Sequence, residues 1–166
     1  MDTQPKLLIT GSRRASRAML AYASRLVDRA HQQGWSIIVG DADGVDTAVI
    51  ERCDALGVSV EVHGGKGKMR RTTKTGTNIA HPEGFLDRDA IMARECTCCA
   101  AVWNGHSRGT RFTFDAVKAL GKQTWVVDFS KPEGQRLVTS NAVSAETGGP
   151  TGSPNADPSS GERRDA

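Results

Sequence analysis

Three short stretches carry residue types whose spacing suits one kind of chemistry. Gly11-Ser12-Arg13 closes one short apolar run, Gly40-Asp41-Ala42-Asp43-Gly44-Val45-Asp46 closes another, and Asn104-Gly105-His106-Ser107-Arg108-Gly109-Thr110 closes a third. Glycines at such turns let the backbone approach a bound group, while hydroxyls and guanidinium forks supply donors. Where a turn of this kind runs into a helix, unpaired N–H groups and the positive end of the helix dipole face it, so the favoured guest is an anion and above all a phosphate. The candidate contacts are Gly11, Ser12, Arg13, Gly40, Gly44, Asp46, Asn104, Gly105, Ser107, Arg108, Gly109 and Thr110. Asp46 admits two readings: a carboxylate that accepts both hydroxyls of a ribose, or an acid in the first turn of a helix that favours its dipole.

Other polar and aromatic residues near these turns have plainer roles to weigh. Asp41, Asp43 and Asp46 suggest a cation, but a calcium loop starting at Asp41 needs glutamate where Arg52 stands. Cys96, Cys98 and Cys99 lie too close together for paired zinc ligands, and strand alternation sends Cys98 and Cys99 to opposite faces, so these read as buried thiols. No metal site and no cofactor is expected. His106 sits in the third turn as a donor to phosphate or a solvated loop residue. Trp103 reads either as a platform for a base or as core, and Thr10 as a residue that orients backbone.

The elements around these turns alternate. Lys6 to Thr10 reads as a strand, and Ala15, Met19, Tyr22, Leu26 and Ala30 then recur three and four apart as a helical stripe that Gly34 ends. Ser36 to Val39 is the next strand, Val45 to Leu56 a helix closed by Gly57, and Val58 to Val62 a third strand. A helix from Phe85 towards Cys96, a strand at Ala100 to Trp103, a helix after Thr110 and a fifth strand at Thr124 to Val127 complete the order. Strand and helix in alternation imply right-handed crossovers and a parallel sheet covered on both faces, a Rossmann-like α/β domain. Ligands of such sheets sit at the carboxyl ends of the strands, where all three turns would open together.

Two stretches lack a period. Residues 64–84 form a basic loop with Lys66, Lys68, Arg70, Arg71 and Lys74, expected to be a solvated loop or a functional lid. Residues 131–166 are rich in Ser, Thr, Gly, Pro and acids and read as a disordered tail, leaving one domain over residues 1–130. Aromatic content of 5% and the absence of any apolar run near the length of a membrane span exclude a membrane protein. The formal charge of +3 is too mild to argue by itself for nucleic acid. The four cysteines do not form a disulfide framework, and the start MDTQPKLLITG lacks a secretory apolar stretch, so a cytoplasmic chain is expected.

Gly11-Ser12-Arg13, Gly40-x-Ala42-x-Gly44-Val45-Asp46, Arg88-Asp89-x-x-Met92 and Gly105-x-Ser107-x-Gly109-Thr110 together resemble the SLOG superfamily, over about residues 6–129 and in the same order. That superfamily groups the DNA-processing protein DprA, the LOG phosphoribohydrolases and small bacterial YspA/YpsA-like proteins, and the resemblance is nearest to the last. It implies a domain that binds a nucleotide or nucleotide-derived ligand, as a sensor or binding module, and a homodimer. The LOG branch implies cleavage of the N-glycosidic bond of a nucleoside 5′-monophosphate, with Arg88 as the arginine of its Arg-x-x-x-Met helix. Its Gly-Thr-x-x-Glu loop departs here, because Thr113 stands where the glutamate belongs. Asp115, Asp89 and Asp46 are the substitute carboxylates, and Asp115, two residues on, turns about 200° away on a helix. The DprA branch implies single-stranded nucleic acid along the basic loop.

Overall fold

The computed structural model describes residues 4–140. Strands and helices alternate over the first five elements, β1 (Lys6–Gly11), α1 (Arg17–Gln32), β2 (Ser36–Gly40), α2 (Val45–Leu56) and β3 (Val60–Gly64), and a further strand, β4 (Thr77–Ala80), follows β3. After these come α3 (Phe85–Glu95), β5 (Cys98–Trp103), α4 (Arg108–Ala119), β6 (Thr124–Asp128), a 3-10 turn at Glu133–Gln135 and β7 (Leu137–Ser140). All strands form one sheet in the order β4-β3-β2-β1-β5-β6-β7. Pairing is parallel throughout except between β6 and β7.

Alternation along β1 explains how the sheet is covered. Leu7 and Ile9 point into one apolar cluster with Met19, Leu26 and Val27 of α1 and Val45 and Val49 of α2. Leu8 points the other way, into a cluster with Met92 of α3 and Phe114 and Val117 of α4. Each side chain of this size taken out of water contributes roughly 1.5–3 kcal/mol, which is why a strand buried on both faces reads as a continuous apolar run. Cys98 and Cys99 divide as alternation requires, Cys98 joining Cys53 of α2 in the first cluster and Cys99 joining Cys96 in the second. Burial pushes the thiols of Cys53 and Cys98 up to about 12 and that of Cys96 up to about 11. Helix ends follow local chemistry: the Ser16 hydroxyl accepts from the Met19 amide, and Gly57 takes the left-handed conformation that closes α2.

The sheet has seven strands rather than five. One additional strand, β4, lies inside residues 64–84, expected as a structureless loop. Its sequence Thr77-Asn78-Ile79-Ala80 is mostly exposed at the edge of the sheet and needs no apolar alternation. The other, β7, lies beyond the expected end of the domain at residue 130, because Leu137 and Val138 sit half-exposed on an antiparallel edge and leave only a faint pattern. Sequence reading for the tail over residues 141–166 falls outside the described residues. Among the described residues no helix is long and apolar enough to cross a membrane.

Candidate functional site

Chain order reverses at β1. The chain winds outward from β1 through β2 and β3 to β4, then returns to place β5 on the other side of β1. In doubly wound sheets the crevice at such a reversal, beyond the carboxyl ends of the strands, is where ligands bind. A cleft of about 740 Å³ opens there, with Gly11 and Arg13 after β1, Asp46 from α2, Arg88 and Asp89 from α3, and Asn104 to Thr110 after β5 among its walls.

One wall is the start of α4. Ser107 caps the helix, its hydroxyl accepting from the Thr110 amide at 3.4 Å and lying 2.9 Å from the Thr110 hydroxyl. The Asn104 side-chain oxygen accepts from the amides of His106 and Ser107 at 2.8 and 2.9 Å, which folds the turn so that the helix begins at Arg108. The first turn of α4 holds no acid, and a Cβ added to Gly109 would meet open space. An anion therefore finds the helix's unpaired N–H groups uncovered. Arg13, Arg14 and Arg108 line the same cleft and form no ion pair among the described residues.

The opposite wall is a buried charge network. Asp41, fully buried, accepts from the Arg70 amide at 2.7 Å, from Arg70 Nη2 at 2.8 Å and from Arg88 Nη1 at 3.0 Å. Arg88 also donates through Nε to Asp89 at 2.7 Å and through Nη1 to the His63 carbonyl at 2.6 Å. Burial would raise the Asp41 carboxyl, but the hydrogen bonds and charge of Arg70, then Arg88, hold it below the usual range. Asp46 behaves in the opposite way. Burial raises it to about 7, against the charge of Arg88 and one hydrogen bond from the Ala42 amide. A carboxyl that changes charge near neutrality at the wall of a cleft is poised for proton transfer or for binding a diol. Asp89 is likewise raised, by burial, with Arg88 and Thr113 opposing.

Glycines let these groups meet. A Cβ at Gly40 would lie 2.6 Å from Asp46 Oδ2 and 3.1 Å from Arg88 Nη1. Gly44 has φ of 78°, and a Cβ there would sit 2.3 Å from the Arg13 carbonyl, so this position brings the second turn against the first.

Of the residues expected at the site, Gly11, Arg13, Asp46, Arg88, Asn104, Ser107, Arg108, Gly109 and Thr110 do line the cleft. Ser12 does not. Its fully buried hydroxyl accepts from the Asn104 amide at 3.0 Å, and its carbonyl accepts from the Val45 amide at 3.2 Å, so it ties the three turns together. Gly40, Gly44 and Gly105 also stand behind the wall, Gly105 packed against Ser130. Asp115 is corrected as a candidate carboxylate: it is half-exposed on α4 and pairs with Arg111 at 3.5 Å, away from the cleft. Trp103 supports the turn rather than a ligand, donating from Nε1 to the Ser107 carbonyl at 2.9 Å and stacking edge-on against Phe114. Thr10 and His106 line the cleft.

Sequence reasoning missed Arg70 and Phe85, which the fold brings in from the basic loop and the start of α3. The Arg70 guanidinium lies 4.0 Å over the Phe85 ring while it grips Asp41. The loop is anchored rather than free: Arg71 pairs with Asp43 at 2.6 Å, and Asp54 of α2 accepts from the Thr73 and Thr75 hydroxyls and from the Lys74 and Thr75 amides. No local signal pairs Asp41 with Arg70, 29 residues on; an acid at the mouth of a strand and a cation in a patternless loop become partners only through the sheet.

Comparison with known proteins agrees with this architecture. Residues 1–74 match the sequence model of the DNA recombination-mediator protein A family. Among solved structures, the molybdenum cofactor binding protein from Rippkaea orientalis superposes with a TM-score of 0.66 at 15% identity, covering 74% of this chain and 75% of that one. The molybdenum cofactor carrier protein from Chlamydomonas reinhardtii gives 0.63 at 18% identity over 74% and 75%. The DNA processing protein A of Helicobacter pylori, described by its single-stranded DNA binding mode, gives 0.58 at 17% identity over 74% and 64%. No curated protein sequence matches the chain significantly. The fold is that of a Rossmann-like α/β protein, and its first 74 residues are similar to the DNA recombination-mediator protein A family. At these identities the likeness to solved structures is one of fold.

Proposed function

We propose that the cleft binds a nucleotide or another ribose-phosphate compound, and that the protein works as a sensor or binding module for it. The observation that carries this reading is the meeting, at the β1/β5 reversal, of an uncovered α4 N-terminus beside Arg13 and Arg108 with the buried carboxyl of Asp46. The helix end and the two arginines suit the phosphate. Asp46, ionised above about 7, suits the two hydroxyls of a ribose. Calorimetric titration with nucleoside 5′-monophosphates, ribose 5-phosphate and the matching nucleosides tests the reading: the phosphorylated compounds bind and the nucleosides bind far more weakly. Equal affinity for nucleoside and nucleotide would remove the phosphate from the account. Within the superfamily we place the chain with the small YspA/YpsA-like proteins, acting as a homodimer, which sedimentation would test.

Asp89 favours a second reading, a phosphoribohydrolase. Thr113 occupies the place of the missing LOG glutamate, and Asp89 lines the wall of the cleft together with it. In that reaction water adds to C1′ of a nucleoside 5′-monophosphate as the N-glycosidic bond breaks, giving base and ribose 5-phosphate. Arg88 would position the substrate while a carboxylate offsets the positive charge developing on the ribose. Release of free base by the wild type but not by Asp89→Asn or Arg88→Ala supports it; no release from any monophosphate eliminates it. Single-stranded nucleic acid along the basic loop has less support, since Arg70 and Arg71 are already engaged by Asp41 and Asp43. That reading requires binding that falls steeply with salt.

A further inference from the structure

A second cluster of chemistry-bearing side chains lies on the α3 side of the sheet, and it is independent of the cleft reading. Glu61 and His63 are two apart on β3 and point the same way, and Glu95 closes over them from the last turn of α3. His63 Nε2 is 3.4 Å from Glu61 Oε1 and 3.8 Å from Glu95 Oε2. All three ligand atoms lie within 4.8 Å of one another. On its other side, His63 Nδ1 is 2.8 Å from His81 Nε2, with the two rings stacked 5.0 Å apart.

We propose that Glu61, His63 and Glu95 form a binding site for a divalent transition cation of the Zn²⁺ class, with His81 orienting the histidine ligand. Its donor set of one imidazole and two carboxylates is one that Zn²⁺ and its neighbours accept. The spacing fits an ion better than it fits hydrogen bonds. A charge-assisted N–H to carboxylate contact settles near 2.7–2.9 Å, and both His63 contacts are longer than that. Two ligands about 2.1 Å from a tetrahedral ion stand roughly 3.4 Å apart.

The surroundings prepare the imidazole. A neutral imidazole has one lone pair to give, and that of His63 is fully buried between His81 and the two carboxylates. An Nδ1–H donated to His81 places that lone pair on Nε2, facing the two carboxylates. Lys6 pairs with Glu61 Oε2, which leaves Oε1 turned towards His63. Glu95 is 45% exposed and Glu61 is 28% exposed, so an ion can arrive from solvent and keep a water as its fourth ligand. The bound ion would tie β3 to α3, the helix that also carries Arg88.

The test uses the full, untagged chain and Zn²⁺ alone, in a buffer that does not chelate. Calorimetry should show one ion per chain, and thermal unfolding should move to higher temperature with added Zn²⁺, because an ion bound only by the folded state stabilises it. Glu95→Gln is half-exposed and keeps its shape, so it should fold normally while losing the saturable binding and the thermal shift. His81→Ala should weaken binding roughly 10- to 100-fold. Co²⁺ in place of Zn²⁺ should give the visible absorption of a four-coordinate ion in the wild type and not in Glu95→Gln. Absence of saturable binding by the wild type, or equal affinity in the wild type and Glu95→Gln, would overturn the proposal.

Discussion

Replacing Asp46 with asparagine removes one titrating group from the cleft and leaves its shape nearly intact. The asparagine oxygen can still accept from the Ala42 amide, which Asp46 Oδ2 does at 3.1 Å. Asp46 moves from 3.8 in an unfolded chain to about 7 in the fold. Between those values the folded protein keeps a proton that the unfolded chain has released, so wild-type stability falls as pH rises from about 4 to about 7. At roughly 1.4 kcal/mol per pH unit the full fall from this group is about 4 kcal/mol. Asp89, also raised, adds a slope of the same sign, and His63, buried neutral, adds one of opposite sign below 6.5. Both groups remain in Asp46→Asn, so the difference between the two proteins reports Asp46 together with its interaction with Asp89. Urea unfolding at half-unit steps from pH 4 to 8 should show similar stabilities near pH 4 and a variant more stable by about 2–4 kcal/mol at pH 8. Parallel curves, or a variant less stable than the wild type at pH 8, would refute the buried, near-neutral carboxyl.

Three further outcomes follow from the same geometry. At pH 8 Asp46→Asn should bind nucleoside monophosphates about tenfold or more weakly, the size of hydrogen bonds to a charged group, as calorimetry would show. Gly40→Ala puts a Cβ 2.6 Å from Asp46 Oδ2 and should cost about 1–3 kcal/mol in urea unfolding and weaken ligand binding with it. Asp54→Asn loosens the acceptor that gathers Thr73, Lys74 and Thr75, so amide exchange should quicken at Lys74 and Thr75 while the core strands stay protected.

The layered fold was legible because its signals are local. Leu7 to Ile9 and Ile37 to Val39 are buried on both faces and read as apolar runs, and the stripe from Met19 to Ala30 carries the helical period. β4 and β7 were missed because edge strands bury little: only Ile79 of β4 is even half-buried. The site was legible in part. Arg13, Asp46 and the turn before α4 follow strands, where glycine and polar residues mark a ligand edge. Asp115 was named as a candidate although its two-residue offset already turned it about 200° away from the place of the glutamate, and on α4 it is half-exposed and pairs with Arg111. Ser12 looks like a phosphate ligand in a motif, yet its hydroxyl is spent on the Asn104 amide. Arg70 on Asp41, and Glu95 over His63, join residues far apart in the chain and carry no local signature.

Gly109 offers the most direct test of phosphate binding at the α4 N-terminus. A Cβ there meets nothing within 4 Å, so Gly109→Asp adds a carboxylate over the helix end without disturbing the packing. An acid in the first turn also favours the dipole, so the variant should be as stable as the wild type or slightly more so. Calorimetric titration of both proteins with the same nucleoside 5′-monophosphate should show binding to the wild type and a loss of at least about tenfold in the variant, since like charges would meet where the phosphate sits. Undiminished binding by a folded Gly109→Asp protein would contradict the account.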